Sequence, residues 1–118
     1  MKLIDANVIL RFLLRDNVEM AEISKEVIKN GAYTRTEIIA EVVYVLESVY
    51  DMSRNDISEF LVAALKVIKI EDKDAFIKAV DIYKDTKLDF VDCIIIGRNH
   101  VLREEVFSFD KKLNNMLI

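Results

Sequence analysis

Residues 1–10 have the sequence MKLIDANVIL, in which a short apolar run ends at a carboxylate. Asn7 follows Asp5 after one residue, and the apolar residues then resume at once. We predict a first strand over residues 2–4 and a helix over residues 7–14, because the apolar side chains of the second segment recur at helical spacing. The carboxylate of Asp5 is therefore expected directly after a strand.

The rest of the chain continues this alternation of short apolar strands and helices. Thr34 and Glu37 match the capping-box pattern and predict the start of an apolar helix that ends near residue 49. Further strands are predicted over residues 32–34, 67–70 and 105–109, and further helices over residues 19–29, 53–66, 72–84, 89–99 and 111–117. This alternation indicates an α/β sandwich with a short, mostly parallel sheet of four or five strands covered by helices on both faces.

Length and composition predict one globular domain over residues 1–118. A hydrophobic content of 53% and a charged content of 32% are ordinary for a globular protein and argue against disorder. Proline is absent and glycine occurs twice, so no linker is evident. Cys93 is the single cysteine, which excludes an internal disulfide and fits a reducing compartment.

Charge and hydropathy indicate a cytoplasmic protein with no membrane association. No signal peptide is expected, because Asp5 and Asn7 interrupt the apolar residues near the start, and no apolar run is long enough for a membrane span. The formal net charge of −4 and a pI near 5.0 do not indicate nucleic-acid binding, which usually needs excess Lys and Arg. A bound metal ion could supply the missing positive charge locally.

Four acidic residues stand out by their positions. Asp5 and Asp110 each follow a predicted strand, and ligands bind beyond the carboxyl ends of parallel strands. Glu41 and Asp92 are charged residues in otherwise apolar helices, where an ionised carboxylate is costly unless it is paired. Each also has a structural alternative. Asp5 and Asp110 could cap helices, Glu41 could pair with an arginine, and Asp92, together with Asp89, could favour the start of a helix.

The alternative to these separate structural roles is that the four carboxylates converge. Each close pair would then repel by roughly 4 kcal/mol at about 4 Å and an effective dielectric constant near 20. Such a cluster needs protons or cations for neutralisation, and all-oxygen ligands favour a hard cation such as Mg²⁺ or Mn²⁺. Phosphoryl transfer is the chemistry that requires a site of this kind.

Four segments, in this order, resemble the motifs of PIN domains, and most closely those of the short VapC-type toxins of prokaryotic toxin–antitoxin pairs. The segments are LIDANVIL at residues 3–10, TEIIAEVVYVL at 36–46, LDFVDCIIIGRN at 88–99 and VFSFDKKL at 106–113. The resemblance covers essentially the whole chain. It implies a PIN-like α/β/α fold, a metal-dependent ribonuclease activity, a homodimer and a cognate antitoxin protein that blocks the site.

By this resemblance the catalytic acids are Asp5, Glu41, Asp92 and Asp110. The resemblance implies that Asp5, Asp92 and Asp110 hold Mg²⁺, for which Mn²⁺ can substitute, while Glu41 and Asp110 orient or deprotonate the attacking water. Secondary positions are Asn7 and Ser108, which match polar residues of the family, and Asp89, where an additional acid sometimes occurs. Ala6 departs from the Thr or Ser that is common after the first acid, without changing a metal ligand.

Basic residues near these acids could hold RNA phosphates, although an ordinary solvated face would have the same pattern. The candidates are Arg11, Arg15, Arg98 and Lys111, with Lys112 beside the last. His100, the single histidine, is predicted to be a surface or capping residue rather than a ligand, so a histidine-based nuclease mechanism is not expected. Cys93 lies in an apolar run and is predicted to be a buried, inert thiol.

Other functions remain open at the level of the sequence. A haloacid-dehalogenase-type phosphatase also begins with an Asp after its first strand, but it needs a second Asp as general acid where this chain has Asn7. A receiver domain would need an acidic pair after the first strand and a Lys on the last. A catalytically silent PIN-like module that docks RNA or a protein would keep the fold, and metal-dependent turnover distinguishes it from the nuclease.

Overall fold

A computed structural model describes all residues 1–118, and the chain forms two compact units, Met1–Glu71 and Asp72–Ile118. The first unit contains the sheet and four helices, and the second contains three helices. The prediction of an α/β fold is confirmed, but the sheet has three strands instead of four or five. No helix has both the length and the apolar character that crossing a membrane would require.

The elements of the first unit follow the predicted order closely. They are β1 (Lys2–Leu3), α1 (Ala6–Leu14), α2 (Val18–Lys29), β2 (Ala32–Thr34), α3 (Thr36–Ser48), α4 (Arg54–Ala64) and β3 (Lys69–Ile70). Local signals set several of the boundaries. The side chains of Asn17 and Ser53 accept hydrogen bonds at the starts of α2 and α4, and Gly31 follows α2 with a φ of +104° that suits glycine.

The three strands are parallel and follow the order β1-β2-β3. Lys2 is opposite Ala32 in the first pair, and Thr34 is opposite Ile70 in the second. Parallel strands share the edge at which their carboxyl ends lie, so the residues that follow β1, β2 and β3 meet at one edge of the sheet. This edge includes Asp5 and Glu71.

Helix α3 supplies much of the core of the first unit. Its fully buried residues are Ile39, Val42, Val43 and Leu46, which recur at the three- and four-residue spacing of one helix face. Ile9 of α1 is also fully buried. Full burial of a large aliphatic side chain contributes about 1.5–3 kcal/mol, so this face is a main source of stability for the first unit.

The second unit consists of α5 (Lys73–Asp85), α6 (Phe90–Leu102) and α7 (Lys111–Asn114). Helices α5 and α6 approach closely at Gly97, where an added Cβ would lie 2.6 Å from the carbonyl oxygen of Ala75. The buried ring of Phe90 packs edge-on against the rings of Phe76 and Tyr83, with centroid distances of 5.9 and 5.4 Å.

The predicted strand over residues 105–109 is absent. The segment between α6 and α7 is neither helix nor strand, so Asp110 does not follow a strand as expected. Val106, Phe107 and Phe109 favour an extended backbone, but a strand also needs a neighbouring strand to pair with. In place of strand pairing, the carbonyl of Ser108 accepts a hydrogen bond from the Asn114 side chain at 2.8 Å.

The predicted capping box is also wrong. The N-cap of α3 is Arg35, one residue later than predicted, and its side chain makes no capping hydrogen bond. Thr34 is buried in β2, and its hydroxyl donates to the carbonyl of Ile4 at 3.3 Å. The start of α3 is instead capped by Glu71, whose Oε1 accepts from the N–H and the hydroxyl of Thr36.

Candidate active site

Asp5 lies at the carboxyl end of β1 and caps α1. Its Oδ1 accepts a hydrogen bond of 3.1 Å from the backbone N–H of Val8, while the side chain remains exposed. The capping role that the sequence allowed is therefore present. Because only Oδ1 takes part, the other carboxylate oxygen is available to a ligand, and capping is compatible with a role in a site.

Glu41 lies on α3 and is exposed, which overturns the expectation that it is buried in an apolar helix. The buried residues of α3 form one face that includes Val42, while Glu37, Glu41 and Tyr44 lie on the solvent side. The apolar residues therefore cover less of the helix circumference than the sequence suggested. Because Glu41 is exposed, the cost of burying its charge, which distinguished it in the sequence, does not apply.

The second unit brings together three of the predicted acids, Asp89, Asp92 and Asp110. Partial burial of the Asp92 carboxyl raises its pKa, and the negative charges of Asp89 and Asp110 raise it further. Asp92 lies in the first turn of α6, where the helix dipole favours a carboxylate. The upward direction of the pKa means that desolvation and repulsion outweigh this stabilisation.

Asp110 is held in place by the turn that precedes α7. Its Oδ1 accepts from the N–H of Leu113 at 2.9 Å, and its own N–H donates to the hydroxyl of Ser108 at 2.9 Å. Leu113 is buried and anchors the short helix. The hydroxyl predicted at residue 108 thus fixes the backbone of the last acid, while one oxygen of that acid remains without a partner. Asn7 is exposed in the first turn of α1.

None of these carboxylates forms a salt bridge with the protein. The set comprises Asp5, Glu41, Asp89, Asp92 and Asp110. Oxygen donors of this kind suit a hard cation, and a cation would relieve the repulsion around Asp92, so the residues fit the predicted metal chemically. Neither unit, however, contains three or more acidic, histidine or cysteine side chains arranged so that they could hold a metal ion. The convergence of the four acids that were predicted to be catalytic stays a prediction.

Three of the predicted RNA-binding cations are paired with carboxylates. Arg11 contacts Asp16 at 3.0 Å and Tyr50 at 3.4 Å, and Arg15 contacts Glu22 at 2.9 Å. Arg98 donates to Glu104 at 2.7 and 2.8 Å and to Asp72 at 2.8 Å. Hydrogen bonds to Glu104 and Asp72 raise the pKa of Arg98.

Lys111 differs from these arginines because it is exposed and forms no salt bridge. A ring nitrogen of half-buried His100 lies 2.7 Å from the carbonyl oxygen of Met116. This contact ties α6 to the end of the chain and is consistent with the structural role predicted for the histidine. Cys93 is fully buried, as predicted.

Glu71 is the acid of the sheet edge that the sequence analysis missed. It follows β3 directly, and its carboxylate is fixed by Thr36. Asp5 likewise lies just beyond the end of β1, after Ile4. The sequence contained a signal for Glu71, because this acid directly follows the strand predicted over residues 67–70. The same reasoning had identified Asp5 after the first predicted strand. The hydrogen bonds from Thr36 give Glu71 a structural role as the cap of α3.

Comparison with known proteins identifies the class to which this chain belongs. The sequence model of the PIN domain matches residues 2–116, and the chain therefore belongs to the PIN domain family. The chain is also similar to a VapC ribonuclease of Aquifex aeolicus (strain VF5), with 28% identity over 124 residues that cover 98% of this chain and 92% of the relative. No solved structure matches the chain. The predicted family resemblance is confirmed.

Proposed function

We propose that this chain is a metal-dependent endoribonuclease of the VapC type, the toxin component of a type II toxin–antitoxin pair. Membership of the PIN domain family and the similarity to a VapC ribonuclease support this function. The structural feature that supports it most is the position of Asp92, which is partly buried in the first turn of α6 near the negative charges of Asp89 and Asp110, an environment that raises its pKa. Carboxylates that repel one another and have no cationic partner form an environment that favours a bound cation.

In the proposed site, Asp5, Asp92 and Asp110 would hold Mg²⁺, with Mn²⁺ as a substitute. When bound, the cation would activate water and neutralise charge at the RNA phosphate. The cap hydrogen bonds of Asp5 and Asp110 each use Oδ1, which fixes the carboxylate and leaves Oδ2 available to a ligand. The two helix caps therefore orient the acids as well as stabilise α1 and α7.

Glu41 and Asp110 would act on the attacking water. Glu41 is exposed on α3 and, with Asp110, would orient the water or accept its proton. Asp89 contributes negative charge beside Asp92. Ser108 positions the backbone of Asp110, and Asn7 is available to a polar partner in the first turn of α1. Lys111 is the predicted cation best placed for phosphate, since it has no carboxylate partner.

We further propose that the two units form a single PIN domain, because one family match spans both. Unfolding of the whole chain, monitored with two spectroscopic probes, should then show a single cooperative transition. The VapC type also implies RNA as substrate, a cognate antitoxin protein, a homodimer and a cytoplasmic location. Light scattering of the purified protein measures the oligomeric state directly.

The decisive experiment is cleavage of a labelled, structured RNA by the purified protein with Mg²⁺ or Mn²⁺ and with EDTA. Asp92→Asn and Asp5→Asn remove one negative charge each, and Asn can still serve as a helix cap at residue 5. Asp81→Asn, an exposed acid of α5 outside the cluster, is the matched control. We expect metal-dependent cleavage by the original chain and the control, and none by the other two variants.

Two outcomes would contradict the proposal. Cleavage that persists in EDTA and in Asp92→Asn would exclude the carboxylate site as its origin. RNA or antitoxin binding without any cleavage, under conditions where calorimetry detects bound Mg²⁺, would favour the alternative, a catalytically silent binding module.

A further inference from the structure

Glu71 joins the end of β3 to the start of α3. It follows β3 directly, and its Oε1 accepts hydrogen bonds of 3.0 Å from the N–H and from the hydroxyl of Thr36. The two residues are 35 positions apart in the sequence, so this contact belongs to the tertiary structure rather than to the helix alone. Arg35, at the N-cap position of α3, makes no capping hydrogen bond with its side chain. The first turn of α3 is therefore held by β3, through Glu71.

A second set of hydrogen bonds at the same edge of the sheet joins β1 to β2. Ile4, the residue before Asp5, donates its N–H to the carbonyl of Tyr33 at 2.9 Å. The carbonyl of Ile4 accepts from the hydroxyl of buried Thr34 at 3.3 Å. Because α3 begins just after β2, hydrogen bonds connect the backbone beside Asp5, the end of β2, the start of α3 and Glu71.

The position of the Glu41 carboxylate depends on where α3 begins. Glu41 is exposed, lies about one and a half turns beyond Thr36 and forms no salt bridge that would fix it. Apolar contacts, such as those of α3 with α1, are non-directional and permit small shifts of a helix. Hydrogen bonds are directional, so the bonds from Thr36 to Glu71 define the start of α3 more sharply than the core does.

Capping alone does not explain an acid from another strand at this place. A local N-cap satisfies a helix from within, as Ser53 does for α4. Glu71 instead adds a negative charge to the sheet edge that carries Asp5, where like charges repel. Desolvation acts to raise the pKa of Glu71, but the hydrogen bonds from Thr36 and its own backbone, with the charge of Arg35, lower the pKa and keep the carboxylate ionised. A remote acid supplies what a local cap does not, which is a fixed link between α3 and the sheet.

We propose that Glu71 is a positioning residue of the nuclease, which holds the start of α3 so that the carboxylate of Glu41 reaches the attacking water. The inference rests on the proposed function, in which Glu41 orients this water or accepts its proton. In this role Glu71 contacts neither RNA nor metal, and it acts on the rate of the chemical step through Glu41. Misplacement of a catalytic group by about 1 Å can lower a rate roughly a hundredfold, so the link affects kcat strongly.

The test compares Glu71→Ala with Glu71→Gln in cleavage of the labelled RNA with Mg²⁺, well below the melting temperature of either variant. Glu71→Ala removes the link, and we expect kcat to fall roughly ten- to a hundredfold with KM unchanged. Glu71→Gln keeps an oxygen that can accept from Thr36 and should restore most of the rate. Amide hydrogen exchange provides a readout without catalysis. The N–H of Thr36 should exchange faster in Glu71→Ala and close to the original rate in Glu71→Gln.

Two further variants separate positioning from stability. Ser53→Ala removes the cap of α4 and should also cost about 1 kcal/mol of stability, but it has no link to α3 and should leave kcat unchanged. In a Glu41→Gln background, single-turnover cleavage with excess protein measures the residual rate. Adding Glu71→Ala to that background should lower this rate no further, because the group that Glu71 positions is already lost. Independent effects would multiply instead.

An unchanged kcat in Glu71→Ala would overturn the proposal and leave Glu71 as a cap only. An equal loss of kcat in Glu71→Ala and Glu71→Gln would contradict it as well, because the charge itself would then be what acts. A loss that multiplies with that of Glu41→Gln would exclude action through Glu41. Absence of metal-dependent cleavage by the original chain contradicts the nuclease and this role together, whereas equal cleavage by the original chain and Glu71→Ala contradicts the positioning role alone.

Discussion

Oε1 of Glu71 accepts hydrogen bonds from both the N–H and the hydroxyl of Thr36, each at 3.0 Å. The residue that follows β3 thus caps the helix that follows β2, and no side chain at the N-cap position does so. Desolvation acts to raise the pKa of Glu71, but the hydrogen bonds from Thr36 and from its own backbone, with the charge of Arg35, outweigh it and lower the pKa.

Glu71→Ala should destabilise the protein by about 1 kcal/mol at pH 7, the usual effect of losing a helix cap. A lowered pKa means that the ionised form stabilises the fold above the ordinary value of 4.5, and that this contribution is lost as the pH falls through the folded-state pKa. Urea unfolding at pH 7 and at pH 3 should show a smaller difference at pH 3 than at pH 7. Glu59→Ala, an exposed acid of α4, is the control. An equal loss at both pH values would disprove the role of the charge.

Asp5 offers a test in which capping and ligand binding are separated. Asp5→Asn keeps an oxygen that can accept from Val8, so the fold should lose little stability, whereas Asp5→Ala should cost about 1 kcal/mol. If Asp5 also holds Mg²⁺, the rise in melting temperature on adding Mg²⁺ should be abolished in both variants. Calorimetric melting with and without Mg²⁺ measures both effects. A full Mg²⁺ response in Asp5→Asn would remove Asp5 from the metal site.

Local signals predicted the helices and β1 to β3 well, because caps and periodicity depend on neighbours in the sequence. Ser53 accepts from the N–H of Asp56 at the predicted start of α4, and Asn30-Gly31 ends α2. The segment 105–109 failed for a different reason. Its alternating residues favour an extended backbone, but strand formation depends on a pairing partner that a single segment does not encode.

The candidate site was predictable residue by residue but not as an arrangement. Asp5 and Asp110 were identified as acids that could cap helices, and both do so. Glu41 was misjudged, because the number of apolar neighbours along α3 did not reveal which face is buried. The pairing of Arg98 with Asp72 joins residues 26 positions apart, and such contacts depend on tertiary packing.

The environment of Asp92 predicts a pH-dependent gain of stability when its charge is removed. A pKa raised above the ordinary value of 3.8 means that the ionised carboxylate of Asp92 destabilises the fold. This loss of stability is absent at low pH, where the carboxyl is protonated in both the folded and the unfolded state, and it grows as the pH rises through the folded-state pKa. Asp92→Asn should therefore raise the melting temperature by roughly 2 °C at pH 7 and leave it unchanged at pH 3. Thermal melts without metal, with Asp81→Asn as control, provide the measurement. A lower melting temperature at pH 7 would mean that the helix dipole dominates.

Lys111 and Arg98 should respond differently to loss of charge. Lys111→Ala should weaken RNA binding and reduce the slope of log affinity against log salt by about 1, the effect of losing one phosphate contact. Arg98→Ala should instead lower the melting temperature, because Glu104 and Asp72 lose the guanidinium that joins them. Salt titrations of RNA binding and thermal melts of both variants separate the two roles. A reduced salt slope in Arg98→Ala, with stability unchanged, would restore the predicted RNA contact of Arg98.

Gly97 marks the closest approach of α5 to α6, and its replacement tests that packing. Alanine is a better helix former than glycine by about 1 kcal/mol, so Gly97→Ala on an isolated helix would be stabilising. In the folded second unit, however, the new Cβ would lie 2.6 Å from the carbonyl oxygen of Ala75 and 3.0 Å from the backbone nitrogen of Ala79. Both atoms belong to the backbone and cannot turn aside, so α5 and α6 would have to separate. We expect a net loss of about 1–3 kcal/mol in urea unfolding. As a control, Val101→Ala at an exposed position of α6 should change the free energy of unfolding little. A Gly97→Ala variant that is more stable than the original chain would show that the two helices pack less closely than this contact requires.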